Sequence, residues 1–209
     1  MEKEIENQLI EELKKFITIF YGKNPIVSKN LSKLEKKQYS KSSALLKIFK
    51  KEKRILFGGI YSKKRMKISP TIFKAKLEEK DILKKELFSS LLPVISIESK
   101  DSALKIISQA SKPLAIYIFG GNKKIHDHIS KVTSSGSICI NDVMLPELIP
   151  NLPFGGVGKS GMGKFHGEEG FRNFSNQKSI TYKGFLFDLD LRYPPYKKVI
   201  KFIKFIFKI

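Results

Sequence analysis

The sequence predicts an α/β fold in which a mostly parallel sheet is covered by helices, and three observations carry that prediction. Between residues 91 and 142, apolar strand-like runs alternate with helix-length segments, the pattern of parallel strands joined by crossovers. At 152–167, LPFGGVGKSGMGKFHG packs six glycines into thirteen residues, a density that no regular helix or strand tolerates, so the alternation gives way to a shaped loop. The chain closes on a basic amphipathic stretch. These shifts divide it into an α/β region over 1–152, a glycine loop and strand over 153–187, and a tail over 188–209 that opens on Arg192-Tyr-Pro-Pro.

The elements follow in order. Ile5, Leu9, Ile10, Leu13, Phe16, Ile17 and Phe20 recur at intervals of three and four, predicting one amphipathic helix over 3–20 that Gly22 terminates. A second helix is expected over 31–50 with Leu31, Leu34, Ala44, Leu45 and Ile48 inward. Strands are expected in RILFGG at 54–59, TIFKAKL at 71–77, LLPVISI at 91–97, LAIYIFGG at 114–121 and GSICIND at 136–142, with helices over 102–111 and 123–132 between the last three. SITYKGF at 179–185 reads as a further strand. In the tail, Lys197, Lys201, Lys204 and Lys208 share one helical face, and Val199, Ile200, Phe202, Ile203, Phe205, Ile206 and Ile209 fill the rest. Such a helix is too short to span a bilayer and suited to lying on an anionic membrane surface; docking on its own protein is the alternative.

Net charge is +20, yet all basic residues but Arg54, Arg65, Arg172 and Arg192 are lysine, spread along the whole chain. Readers of nucleic-acid sequence favour the arginine fork, so no specific nucleic-acid partner is expected. Cys139 is the only cysteine, which excludes an internal disulfide and a cysteine-rich metal site; lying in an apolar run, it reads as a buried strand residue. His126 and His128, two apart on a helix, cannot form a helical metal pair, and no metal is expected. The N-terminus resembles neither a secretory signal nor a transit peptide, so a cytoplasmic or peripheral membrane location is expected. GGVGKS suggests a phosphate-binding loop, but Pro153 stands where a Walker A loop needs glycine, and neither a strand before nor a helix immediately after is foreseen. A P-loop nucleotidase is therefore a weak alternative.

KISPTIF at 67–73, KKELFSSLLPVISI at 84–97, KPLAIYIFGGN at 112–122, TSSGSICINDV at 133–143, LPFGGVGKSGMGKFHG and LRYPP together, in this order, resemble the C-terminal part of the aldehyde dehydrogenases, specifically the class 3 or fatty-aldehyde branch. The resemblance covers essentially the whole chain and implies that 1–152 is part of the catalytic α/β domain. In that family a cysteine thiolate attacks the aldehyde, hydride passes to NAD or NADP, and a glutamate-activated water releases the acid. The nucleophilic cysteine, the general-base glutamate and the dinucleotide domain align upstream of Met1. The resemblance thus implies a chain with no catalytic residue of its own, inactive alone and binding no cofactor tightly, unless a missing N-terminal half joins it in trans.

It also implies that Glu86 and Phe88 receive the nicotinamide ribose, with Ser89-Ser90 replacing the family's Gly-Pro. Asn141, Met144, Leu148, Phe154 and His166 match positions lining or gating an aldehyde tunnel, where Glu147 is an unexpected charge. Residues 179–185 match the strand by which family members join a neighbouring subunit's sheet, so a homodimer is expected. A membrane-surface module acting through the tail is the alternative reading.

Overall fold

A computed structural model describes residues 1–77, 79, 82, 86–186, 188 and 193–207. The chain forms two compact units, Met1–Asn173 and Phe174–Ile209.

The first unit opens with a 3₁₀ turn, Lys3–Ile5, and helix α1, Glu6–Tyr21. Gly22, at φ +76°, ends α1 in a conformation that costs glycine least, and its N–H bonds the Thr18 carbonyl at 2.8 Å. Helix α2 is Lys36–Lys51, starting five residues later than expected. It buries Tyr39, Ser42, Leu46 and Phe49, whereas Ala44 and Ile48 of the expected face are exposed. The unbroken apolar run from Ala44 to Leu46 fits two adjacent faces, and Tyr39 one turn earlier decides between them.

Strands β1 (Ile55–Phe57), β4 (Thr71–Lys74) and β5 (Leu91–Val94) make one sheet in the order β1-β4-β5. β4 and β5 are parallel, Thr71 opposite Leu91, while β1 runs antiparallel to β4. Between them β2 (Tyr61–Ser62) and β3 (Lys67–Ile68) form a small hairpin that the lysine-rich sequence conceals. Gly58 allows the hairpin to approach β4: a Cβ there would lie 2.2 Å from the Pro70 carbonyl oxygen. α2 covers this sheet, and the Phe49 and Phe73 rings stack at 4.1 Å among Tyr39, Leu46, Ile68, Ala75 and Leu91. Leu46 and Phe73 are fully buried, each contributing about 1.5–3 kcal/mol by its removal from water.

Helix α3 (Lys100–Gln109), β6 (Ala115–Ile118), helix α4 (Lys123–Val132) and β7 (Ser137–Ile140) follow as the alternation demands. Ser99 and Asn122 cap the two helices with side-chain oxygens that accept from the N–H groups of Ser102 and Ile125. β6 and β7 are parallel, Ala115 opposite Ser137. The single mostly parallel sheet expected from sequence is thus two parallel pairs in separate sheets, with β1 antiparallel. Short helices α5 (Leu145–Leu148) and α6 (Gly167–Asn173) flank the glycine loop.

In the second unit, residues 179–185 form no strand: Ile180, Tyr182 and Phe185 are exposed. Among the described residues this segment pairs with no strand, and an unpaired extended segment has no ladder to hold it. Helix α7, Lys197–Phe207, forms in the tail; Arg192, Lys208 and Ile209 lie outside the described residues. No helix among the described residues is long and apolar enough to cross a membrane.

Candidate functional site

Ligands of parallel α/β sheets gather at the carboxyl ends of the strands. The ends of β6 and β7 are built from turn residues that the backbone forces into shape. Gly120 and Gly121 follow β6 at φ +74° and +79°, and Asn141 follows β7 at φ +58°. The Asn141 Oδ1 accepts from the Gly120 N–H at 2.8 Å, and a His126 ring nitrogen lies 2.8 Å from the Gly120 carbonyl oxygen. The two strand ends are thereby locked in register. Three residues on, Met144 takes φ +64° at the start of α5, and the Tyr117 hydroxyl lies 3.9 Å from its sulfur. Leu148 and Glu147 on α5 are exposed, so that the Glu147 carboxylate stays solvated.

The glycine loop closes on itself. Phe154 and Phe165 exchange backbone hydrogen bonds of 3.0 and 2.8 Å, and their rings meet edge to face at 5.4 Å. They tether the loop to each other and to His166, whose ring stacks on Phe154 at 5.9 Å and meets the Phe165 edge at 4.4 Å. His166 Nδ1 is buried without a protein hydrogen-bond partner among the described residues. At Gly156 the backbone passes so close to Ser160 that a Cβ would lie 2.2 Å from it. The Lys164 ammonium donates to the carbonyls of Gly136 and Gly155 at 2.8 and 2.6 Å, fastening the loop to the start of β7.

This geometry does not support a phosphate cradle. Ser160 Oγ bonds back to Val157 at both N–H and C=O, and Gly158–Ser160 is one 3₁₀ turn. The helix that does follow, α6, begins at Gly167, past Lys159 and Ser160.

Phe154 and His166 are brought into contact, and Asn141 and Met144 share the strand ends. Glu86 lies apart, exposed on a groove shared with Gln38 and Leu45, and Phe88 projects beside it at φ +41° with 76% of its surface exposed. Gln38 Nε2 donates to the Leu87 carbonyl, holding the backbone between the two. Cys139 is buried in β7, as its apolar run implied, and no cluster of metal-ligating side chains occurs among the described residues. Sequence reasoning missed Lys164 and the His126 clamp. The signal for Lys164 was a lone lysine between Gly163 and Phe165, where backbone carbonyls crowd.

The sequence profile of the aldehyde dehydrogenase family matches residues 1–180. Aldehyde dehydrogenase family 3 member I1, chloroplastic, of Arabidopsis thaliana is 36% identical over 195 residues, which are 93% of this chain and 36% of that protein. The dimeric NADP-preferring aldehyde dehydrogenase of Rattus norvegicus is 33% identical over 194 residues, 91% of this chain and 42% of the relative. A substrate-bound structure of Staphylococcus aureus AldH superposes with a TM-score of 0.82 at 32% identity, over 99% of this chain and 45% of that one. A structure of indole-3-acetaldehyde dehydrogenase with NAD+, TM-score 0.73 at 20% identity over 86% of this chain and 37% of that one, shares the fold. The chain therefore spans well under half the length of these relatives, and the matched region includes the locked strand ends and the glycine loop: it belongs to the aldehyde dehydrogenase family.

Proposed function

We infer that residues 1–209 serve as part of the catalytic domain of a class 3 aldehyde dehydrogenase that, with its nucleophile and dinucleotide domain supplied, oxidises medium- or long-chain aldehydes to carboxylic acids. The observation that carries this reading is the grouping of Phe154 and His166 in a family-matched loop fastened to β7, while Asn141 and Met144 stand at its end. Such a wall offers aromatic and thioether surface to an alkyl chain. Asn141 acts through its hold on Gly120, keeping both strand ends in place.

The residues fit NAD or NADP in one respect. Glu86 is exposed with no hydrogen-bond partner among the described residues, and the exposed Phe88 ring stands two positions on. A carboxylate can accept from both hydroxyls of a ribose while the ring packs beside it. When bound, NAD(P)+ accepts the hydride. Cys139 is buried and supplies no accessible thiolate, so the isolated chain is expected to be inactive and to bind no cofactor tightly.

Two further assignments belong to the same reading. Residues 179–185, exposed and unpaired, form the homodimer strand once a second subunit presents an edge, in keeping with the rat relative's name. The region 153–187 then works as loop and oligomerisation strand, between the α/β region of 1–152, to which Lys164 fastens the loop, and the tail at 188–209. A second reading, binding to anionic membranes, is favoured by α7, which exposes Ile200, Phe205, Ile206 and Phe207 beside the exposed Lys201 and Lys204. Flotation with anionic vesicles, lost on deleting 196–209, tests it.

The main test is NAD(P)H formation. Purified 1–209 should give none with hexanal through hexadecanal, and saturable turnover would sink the reading. Joined to the upstream part of a relative, it should turn over with kcat/KM rising about fourfold per methylene until the tunnel ends. Glu86→Gln should raise KM for the dinucleotide about tenfold with little change in kcat.

A further inference from the structure

The start of α2 is electrostatically uncompensated. Glu35 takes the N-cap position without a side-chain cap, and the first turn carries Lys36 and Lys37 with no acidic residue. The first N–H groups of a helix have no intrahelical acceptor and its N-terminal end is positive, so two lysines there oppose the helix they open. Further along, Lys36, Ser40, Ser43 and Lys47 fall at steps of four, three and four and share one face. Beside that face stands the β2–β3 hairpin, held by two bonds to the segment before α2. The Leu34 N–H donates to the Met66 carbonyl at 2.8 Å, and the Lys67 ammonium donates to the Ser28 carbonyl at 2.7 Å.

Helix face and hairpin enclose a groove of about 750 Å³ that Lys33, Lys36, Lys47 and Lys63 line together with Tyr39 and Tyr61, and no carboxylate lines it. None of these four ammonium groups has an ion pair or hydrogen bond among the described residues. Lys50 adds a cation at the rim, 5.4 Å from the centre of the Tyr61 ring. Tyr39 is an independent sign of a ligand. It is only 7% exposed and its ring belongs to the core under α2, yet its hydroxyl has no hydrogen-bond partner among the described residues and is not sealed from the groove. A tyrosine so deeply placed ordinarily has a partner for its O–H. Burial first, and then Tyr61, raises the Tyr39 phenol above its ordinary value, so the hydroxyl stays protonated and able to donate.

We propose that this groove is a binding site for a small molecule carrying two phosphate groups, whose charges meet the lysines and one of whose oxygens accepts from the Tyr39 hydroxyl. Two phosphate monoesters carry about three to four negative charges at neutral pH, which the four lysines of the groove balance. Lysine serves phosphate well, as a point charge on a flexible stem. Lys36 and Lys47 start about 16 Å apart along the helix axis, so a single phosphate engages both only with each side chain fully extended toward it. A nucleic-acid strand fits worse: its bases need open aromatic faces, whereas Tyr39 is buried and Lys50 lies over Tyr61. The required chemistry is offered equally by a free sugar bisphosphate and by the headgroup of a phosphorylated inositol lipid. The site stands whether or not the catalytic reading above does.

The test titrates purified 1–209 in about 0.15 M salt, where exposed charges are screened beyond about 8 Å. One arm uses fructose 1,6-bisphosphate. The other uses vesicles containing phosphatidylinositol 4,5-bisphosphate, compared with phosphatidylserine vesicles of matched charge because the basic tail offers any anionic vesicle a second hold. Saturable binding in either arm, one-to-one for the sugar and beyond the phosphatidylserine level for the vesicles, is the expected result, and the arm that saturates identifies the source. Lys36→Gln and Lys63→Gln should each weaken that binding about tenfold. Lys124→Gln with Lys131→Gln, which removes two exposed charges from α4, should leave it unchanged. Tyr39→Phe keeps the ring in the core and removes only the oxygen, so it should weaken binding at least about fivefold without lowering Tm. Saturation in neither arm, equal weakening by the α4 changes, full binding by Tyr39→Phe, or tighter binding of a single-stranded oligonucleotide than of either bisphosphate would each overturn the proposal.

Discussion

The two parallel strand pairs of the first unit are equally long and similarly apolar, yet they are finished to different degrees. β4 and β5 sit under α2 with Ile72, Phe73, Leu91 and Val94 buried and the Phe49–Phe73 stack at their centre. β6 and β7 bury Cys139 alone, and their helices α3 and α4 bury nothing. Apolar pattern sets which residues are meant to be inside; burial requires every neighbouring layer to be present. The second pair has its crossovers, caps and strand-end clamps, but among the described residues β6 pairs with β7 alone.

The sharpest way to break that comparison is truncation in each pair. Phe73→Ala should cost about 3–5 kcal/mol in urea unfolding, because it empties a filled site in a closed core. Ile116→Ala in β6 should cost about 1 kcal/mol or less in the isolated chain, since a half-buried side chain gives up less area. Equal losses would mean that both layers are complete. Lys164→Met should cost about 1.5–3 kcal/mol, as the carbonyls of Gly136 and Gly155 lose a charged donor. Exchange should then rise in the loop and not around Phe73. Gly156→Ala should cost about 1–3 kcal/mol by overpacking against Ser160, with chemical-shift changes confined to 154–166.

A further effect is on pH dependence, and it belongs to the closed layer. Hydrogen bonds from Arg54, opposed by desolvation and aided by the Lys76 N–H, hold the Glu79 carboxyl below its ordinary value. The Ser96 hydroxyl first, then Lys74, does the same for Glu6, against a desolvation that raises it. Both folded values lie below the unfolded ones, so the stabilisation is complete above about pH 4.3 and lost as pH falls through the folded values. Glu79→Gln should flatten the acid limb of stability by about 1 kcal/mol and leave exchange at Ala115 unchanged.

Much of this architecture was legible in the sequence where the signal is local. α1 and its glycine stop, and the run from β5 through β7 with both crossover helices, follow from periodicity and capping residues. The hairpin at 61–68 was hidden because five of its eight residues are polar or charged and pairing, not hydrophobicity, defines it. α6 was hidden by Gly167 and Gly170, which argue against a helix. The strand at 179–185 failed for another reason: its sequence is strand-like, but among the described residues it pairs with no other strand, and pairing is what makes a strand. At the site, the resemblance indicated Phe154, His166, Asn141 and Met144, whereas Lys164 and His126 act through contacts to backbone carbonyls, which hydrophobic periodicity does not encode.

The most direct measurement is residue-resolved amide exchange on purified 1–209 alone. Amides of Phe73 and Leu46 should exchange only through global unfolding, while Ala115 and Tyr117, on the open edge of β6, should exchange orders of magnitude faster than their neighbours Ile116 and Ile118. Protection at Ala115 and Tyr117 equal to that at Phe73 would contradict the account, because the edge would then already be closed.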